Sequence, residues 1–379
     1  MKILFACGGT AGHINPALAT ANYIRSRYPD TQVLFIGSPK GMEARLVPEA
    51  GYDFAPVELK GIQRRLSWRN FCYNLSSMEL LCTCWGKIRR ILQQFQPDVV
   101  VGTGGYVSGP VLRKAAQMGF RTVTHESNAY PGVTTRLIAK TADKVLLAVP
   151  EAAAHLECRQ EPIVTGSPVR EEILFADRAA AREKLGVGDR VCILSFGGSL
   201  GAERINRAIA EVVAHFSTTG RTHHIHATGA YGTELFPECL RELGADITGD
   251  PHMDIREYIR DMADCLAAAD LVICRSGAMT LTELEAAGRA SILIPSPNVA
   301  ENHQYHNAMV LAEHGAAVVI EEKDLTGERL CQTIEELIAD PARLEELGKK
   351  AASLARLDAN ERISREILEL ISQGDTQGR

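Results

Sequence analysis

Leu271-Val272-Ile273-Cys274-Arg275-Ser276-Gly277-Ala278-Met279-Thr280-Leu281-Thr282-Glu283-Leu284-Glu285-Ala286-Ala287-Gly288 is the stretch that decides the fold. Four apolar residues open it and predict a buried strand, Arg275 to Ala278 form a small-residue turn, and Met279 to Ala287 follow helical spacing until Gly288 closes them. A second short strand, Ser291-Ile292-Leu293-Ile294-Pro295, leads into the polar loop Glu301-Asn302-His303-Gln304-Tyr305-His306-Asn307-Ala308. In an open α/β sheet, ligands bind at the carboxyl ends of strands and against helix N-termini. These two strand ends offer hydroxyl, carboxylate, imidazole and amide groups, with Arg275 as their one cation, which suits a neutral polyhydroxylated ligand such as a ribose or a sugar. Thr280 and Glu283 also fit a capping box, Ser/Thr-x-x-Glu, that would only start the helix.

The same grammar recurs along the chain. Lys2 to Ala6 is a short apolar strand running into Gly8-Gly9-Thr10-Ala11-Gly12-His13, and Ala17, Leu18, Ala21 and Ile24 follow at helical spacing. Val191-Cys192-Ile193-Leu194-Ser195-Phe196 runs into Gly197-Gly198-Ser199-Leu200-Gly201-Ala202 and a further helix. Both read strand, Gly-Gly-(Thr/Ser)-x-Gly, helix, which predicts two Rossmann-like, doubly wound α/β halves facing a cleft. Pro97 to Val101 feeding Gly102-Thr103-Gly104-Gly105-Tyr106, and Thr122-Val123-Thr124 ending in His125-Glu126-Ser127-Asn128, add polar strand ends to the first half.

Such glycines let backbone approach an anion closely, while the helix start supplies N–H donors. The dinucleotide spacing G-x-G-x-x-G is absent. The strand Val33-Leu34-Phe35-Ile36 ends in Gly37-Ser38 where a ribose-binding acid would stand, which weakens a nicotinamide-dependent oxidoreductase. At the positive end of its helix His13 is disfavoured as imidazolium and can take a proton, although a polar residue near a cap is the plainer reading. Gly197-x-Ser199-x-Gly201 also matches a nucleophile elbow, which Asp270 and His303 could nominally complete as a hydrolase; the doubled glycine and its near-copy favour a phosphate cradle. His224 and His226 share a strand face, but a metal needs a third ligand and none is evident. No Asp-x-Asp occurs, so a metal clamp on a sugar-nucleotide pyrophosphate is not indicated; no cofactor is expected.

A chain of 379 residues predicts two domains, placed at 1–165 and 166–345, with a helical segment at 346–379. The crossing lies at Gly166-Ser167-Pro168-Val169-Arg170. Hydrophobic residues make up 45% and charged residues 23%, which excludes a disordered or fibrous chain. No apolar run is long enough to span a membrane, and glycine at position 8 comes too early for a signal-peptide core, so a cytoplasmic location is expected. The ten cysteines are scattered without Cys-x-x-Cys, as buried thiols would be. The net charge of −6 divides into +7 over residues 1–165 and −13 over the remainder, so an anionic partner belongs to the first half. No nucleic-acid-binding pattern accompanies that charge. Phe71 to Phe95 reads as one long helix with an apolar stripe. Arg64, Arg65, Trp68, Arg69, Leu80, Leu81, Lys87, Arg89 and Arg90 around it suit an anionic membrane surface.

Taken in order, the motifs at Gly8–His13, Gly102–Tyr106, His125–Asn128, Gly197–Ala202 and Arg275–Thr280 make the chain similar to the MurG family of N-acetylglucosaminyltransferases along nearly its whole length. That resemblance implies a GT-B fold and, as activity, inverting transfer of N-acetylglucosamine from UDP-N-acetylglucosamine. The acceptor it implies is the muramyl 4-hydroxyl of undecaprenyl-linked lipid I, giving lipid II for peptidoglycan. It also implies peripheral attachment at the cytoplasmic face of the cell membrane. By position, Thr10, Ala11 and Gly12 would border the donor, Asn128 would contact it, and His13 would be the general base or an acceptor-site group. Arg170 and Ser199 would lie along the uridine and its phosphates, and Ile259 by the uracil. Ala278, Met279, Thr280, Leu281, Thr282 and Glu283 would hold the nucleotide, Glu283 at the ribose hydroxyls, while His303 and Gln304 would read the sugar. The family commonly has Gly, Gln and Gln where this chain has Ala11, Ser127 and Leu200, so phosphate contact near Leu200 would fall to backbone N–H or Ser199. A nucleotide-sugar-binding protein without catalysis is the remaining alternative.

Overall fold

The computed structural model describes residues 1–59 and 84–375. The chain forms two compact units, Met1–Pro168 together with Asp358–Arg379, and Val169–Leu357. Among the described residues of the first unit, seven strands form one sheet: β1 (Lys2–Ala6), β2 (Gln32–Gly37), β3 (Asp53–Pro56), β4 (Val99–Gly102), β5 (Arg121–Glu126), β6 (Lys144–Leu147) and β7 (Ile163–Val164). Their order is β3-β2-β1-β4-β5-β6-β7 and every pairing is parallel. The second unit repeats the scheme with β8 (Val191–Phe196), β9 (Thr222–Ala227), β10 (Met253–Arg256), β11 (Leu271–Cys274), β12 (Ala290–Leu293) and β13 (Val318–Val319), ordered β10-β9-β8-β11-β12-β13. In each sheet the winding reverses beside the first strand, between β1 and β4 and between β8 and β11, and a crevice opens there at the carboxyl ends.

Continuous apolar runs explain the buried strands. Ile3 to Ala6 and Leu271 to Cys274 are wholly covered, as a parallel sheet with helices on both faces requires. In the first unit one face carries the helices at residues 84–95 and Gly105–Gln117, and the other carries Ala11–Arg27. Cys84, Ile88 and Leu92 turn inward at helical spacing while Lys87, Arg89 and Arg90 stay exposed. The rest of the expected helix from Phe71, with Arg64, Arg65, Trp68, Arg69, Leu80 and Leu81, lies outside the described residues. No described helix is long and apolar enough to cross a membrane.

The C-terminal stretch, expected as one segment from 346, is divided. The helix Pro341–Leu354 packs in the second unit, where Gly348 lies against the Gly288 carbonyl too closely for a Cβ. The helix Ala359–Asp375 belongs to the first unit. Its Ile363, Ile367 and Leu370 enter the core beside Ile24, Glu366 pairs with Lys144 at 2.7 Å, and Arg121 donates to the Ile371 carbonyl at 2.8 Å. That apolar stripe, at i, i+4 and i+7, is buried only by returning to the first sheet. The first crossing falls between Pro168 and Val169, three residues beyond the expected boundary.

β9 is the exception to the apolar rule: Thr222, His223, His224 and His226 are all buried in it. Thr222 Oγ1 lies 2.9 Å from His224 Nε2, and Ser195 Oγ lies 2.8 Å from His226 Nδ1, so these atoms are paired within the sheet, whereas His223 Nε2 and His224 Nδ1 are buried without a hydrogen-bond partner. Burial pushes His224 and His226 down to about 3. Unfolding exposes both imidazoles to water, where they take protons below about pH 6.5. The second unit therefore has its full stability above that pH and loses it as pH falls toward the depressed native values. Between pH 6 and 4 the expected loss is about 3 kcal/mol per pH unit from the pair. Hydrogen exchange of the β9 amides at graded pH measures it, and pH-independent protection over that range would contradict it.

Candidate active site

In the first unit, β1 ends in Gly8-Gly9 and Thr10 caps the helix Ala11–Arg27, so His13 is the third residue of that helix. Thr103 Oγ1, just beyond β4, donates to the His13 carbonyl at 2.6 Å, and Thr10 Oγ1 lies 3.2 Å from His13 Nδ1. The ring rests against Gly104, where an added Cβ would stand 2.6 Å from Cδ2. Gly105, at φ +80°, sits on the Gly8 carbonyl with no room for any side chain. Thr10, Ala11, Gly12 and His13 thus share the switch point of the first sheet.

Beneath that turn lies a residue whose role local sequence pattern does not reveal. Glu43 is 0% exposed; its carboxylate accepts from Ser38 N–H at 2.8 Å and from Gly9 N–H at 3.3 Å. Gly8, Gly37 and Gly41 crowd around it, each too close for a Cβ. Glutamate at the start of a short helix reads from sequence as ordinary surface charge, and only the strand order carries it under the turn. Further along the same sheet, Glu126 is buried and holds Asn128 through its backbone N–H at 3.0 Å and its side-chain amide at 2.9 Å. His125 Nε2–H donates to the Gly166 carbonyl at 2.9 Å, since a carbonyl only accepts. Burial lowers the His125 pKa.

In the second unit, β8 ends in Gly197-Gly198-Ser199-Leu200-Gly201, and the helix Glu203–Ser217 follows. Ser199 and Leu200 are exposed, and their carbonyls accept from Ala230 and Tyr231 N–H at 3.3 and 3.0 Å. β11 leads to the helix Ala278–Ala287, capped at Gly277. Thr280 and Glu283 therefore both lie inside the helix, and the capping box is ruled out; Thr282 Oγ1 bonds the Ala278 carbonyl instead, at 3.0 Å. Leu281 is buried, 4% exposed, so its side chain is not available to a ligand. Glu283 receives Arg170 Nε at 2.9 Å. Burial raises the Glu283 pKa and Arg170 opposes the rise.

Ile259 follows β10 with its side chain buried. His303 opens the helix His303–Glu313, and its Nδ1 meets the Ala300 carbonyl at 2.8 Å, which leaves Nε2 of the neutral ring as an acceptor. Gln304 is held at both ends: its Oε1 accepts from Ser296 N–H at 2.8 Å and its carbonyl from Ser276 Oγ at 2.8 Å. Two expectations change. Arg275 is committed to Glu322 and to the Ile294 carbonyl, so it is not a loose cation at the strand end. Asp270 is occupied by Arg178, Arg182 and the Cys192 N–H, so it is not the acid of an elbow at Ser199. Among the described residues no cluster of His, Cys, Asp and Glu could hold a metal ion.

Residues 3–147 match the glycosyltransferase family 28 N-terminal domain and residues 192–363 its C-terminal domain. A protein of Acetivibrio thermocellus named UDP-N-acetylglucosamine–N-acetylmuramyl-(pentapeptide) pyrophosphoryl-undecaprenol N-acetylglucosamine transferase is 42% identical over 96% of both chains. A relative of the same name from Desulfitobacterium hafniense is 42% identical over 96% of this chain and 97% of its own. The crystal structure of Acinetobacter baumannii MurG is similar with a TM-score of 0.77 at 28% identity, covering 97% of this chain and 99% of that one. Paired parallel sheets with glycine turns at both switch points define a GT-B glycosyltransferase. The chain belongs to glycosyltransferase family 28 and, within it, to the MurG family.

Glu43→Gln keeps the shape but trades an acceptor oxygen for an NH2 group facing N–H donors, a cost of about 1–3 kcal/mol. The expected result is a lower unfolding temperature with faster hydrogen exchange at Gly9 and Ser38. Unchanged exchange at both amides would show that the carboxylate does not hold the turn.

Proposed function

We propose that this chain transfers N-acetylglucosamine from UDP-N-acetylglucosamine to the 4-hydroxyl of the muramyl residue of undecaprenyl-pyrophosphoryl-N-acetylmuramyl-pentapeptide, with inversion, producing the disaccharide lipid for peptidoglycan. The supporting observation is two switch points of different chemistry: a histidine-bearing turn in the first unit, and a turn with a carboxylate-bearing helix in the second. Family membership over nearly the full chain agrees with it.

The donor reading assigns the diphosphate to Ser199, the exposed turn and the N-terminus of the helix Glu203–Ser217, whose N–H dipoles favour negative charge. Glu283 takes the ribose hydroxyls, with Ala278, Met279, Thr280 and Thr282 and the Leu281 backbone around the nucleotide and Arg170 beside it. Ile259 borders the uracil, and His303 and Gln304 meet the sugar hydroxyls. In the transfer the acceptor oxygen bonds to the anomeric carbon as the bond to UDP breaks on the opposite face. His13 takes the hydroxyl proton at Nε2, with Nδ1–H directed at Thr10 Oγ1. Thr10, Ala11, Gly12 and Asn128 complete the first unit's edge. Charge leaving with UDP is met by peptide N–H groups already oriented toward it. The excess positive charge of residues 1–165, with Lys87, Arg89 and Arg90 exposed on their helix, fits attachment to an anionic membrane at its cytoplasmic face.

Release of UDP from UDP-N-acetylglucosamine on addition of lipid I tests the assignment directly. Donor binding without release would leave a nucleotide-sugar-binding protein, and labelling of Ser199 by a fluorophosphonate would point to a hydrolase. His13→Ala should slow turnover by about 10²–10⁴-fold while UDP affinity is retained. Glu283→Ala should weaken UDP binding about tenfold or more, the loss expected for hydrogen bonds to a charged group. An ionised Glu283 accepts from both hydroxyls, and its pKa is raised, so UDP affinity should fall on acidification at a higher pH than an ordinary glutamate would give. Titration calorimetry across pH measures this, and Glu283→Gln should flatten the profile. An identical profile in that variant would transfer the effect to another group.

A further inference from the structure

The second glycine turn is braced from behind by backbone. Thr228 to Gly232 pass so close that the Thr228 carbonyl occupies the place of a Cβ on Gly201, and Gly201 N occupies that of a Cβ on Gly229. Gly201 and Gly229 have φ of +85° and +70°, which suits glycine alone. Ala230 and Tyr231 N–H groups then bond the Ser199 and Leu200 carbonyls. The position of Ser199 is therefore set by the brace, and the brace in turn must be held to the sheet.

A buried relay holds it. His226 and Asn206 are 0% and 1% exposed. Asn206 Nδ2 donates to the Thr228 carbonyl at 2.8 Å, which turns its Oδ1 toward His226 Nε2 at 3.2 Å. Nε2 then carries the proton, and Nδ1, which lies 2.8 Å from Ser195 Oγ and 3.2 Å from the Ser195 carbonyl, accepts from the hydroxyl. The contacts run from β8 through β9 and the helix Glu203–Ser217 to the brace. Gly232 packs on Asn206 Nδ2 without room for a Cβ, which keeps the amide in place.

We propose that His226 is a positioning residue for the donor diphosphate, acting through Asn206 and the Thr228 carbonyl on the Ser199–Gly201 turn without touching substrate. The inference rests on the reading that a UDP-sugar places its diphosphate at that turn. Uridine alone does not need the turn, so the relay separates the two ligands: its loss weakens UDP and leaves uridine unaffected.

Glutamine at 226 can place an amide N–H where Nε2–H stands and keep the bond to Asn206; asparagine reaches only the Nδ1 position and cuts the relay. Calorimetry with UDP and with uridine on the full chain, together with hydrogen exchange at Gly201, Ala230 and Tyr231 without ligand, tests the proposal. His226→Asn should bind UDP about tenfold more weakly, keep uridine within about twofold and speed exchange at the three amides, and His226→Gln should restore all three. Should His226→Asn not fold, Asn206→Ala cuts the relay one step on, with the same split expected. Equal behaviour of the Asn and Gln variants, unchanged exchange at the three amides, or equal weakening of uridine and UDP would overturn the proposal. Faster exchange reversed by Gln, in a protein whose unmodified form binds no UDP, would uphold the relay and refute the donor assignment instead.

Discussion

Backbone lies against backbone at both switch points, closer than any side chain permits. Gly105 rests on the Gly8 carbonyl in the first unit, and Gly201 and Gly229 interlock in the second. A parallel doubly wound sheet opens a crevice where its order reverses, but a crevice becomes a binding site only if peptide N–H groups face it. Two turns folded this tightly begin their helices directly at the sheet edge, and His13 and Ser199 take their places from that approach. Everything assigned to substrate depends on it.

The two turns are near-copies in sequence and rest on different groups. Glu43 accepts the Gly9 N–H from below, so the first turn has a buried carboxylate beneath it and is a poor seat for a second anion. The second turn is backed by the Thr228 carbonyl and by amides donating to its own carbonyls. On the proposed reading, the departing diphosphate takes the second turn and the hydroxyl giving up its proton takes the first. Arg275 is engaged with Glu322 and Arg170 with Glu283, so on the proposed reading oriented peptide dipoles answer the developing negative charge.

The buried histidines of β9 show how a polar strand survives inside such a sheet. The Thr228 carbonyl can only accept, which orients the Asn206 amide and turns its oxygen toward His226 Nε2–H, while Nδ1 meets Ser195. The network ties the segment behind the Ser199–Gly201 turn to the sheet.

Strand, glycine turn and helix are written within about ten consecutive residues, as apolar runs, absent side chains and helical spacing, and so the twin α/β halves, the place of His13 and the edge bearing Ala278 to Glu283 were legible from sequence alone. Tertiary structure decided what each turn rests on. Glu43 reaches Gly9 only because β2 lies beside β1, His226 reaches Thr228 only through a helix laid across the sheet, and the last helix returns to the first unit because its apolar stripe has no other cover. Thr280 and Glu283 formed no capping box because Gly277, at the strand's end, starts the helix three residues earlier. Local pattern encodes backbone shape, whereas the partner of a buried polar group is settled by strand order across the sheet, and strand order is a property of the packed chain.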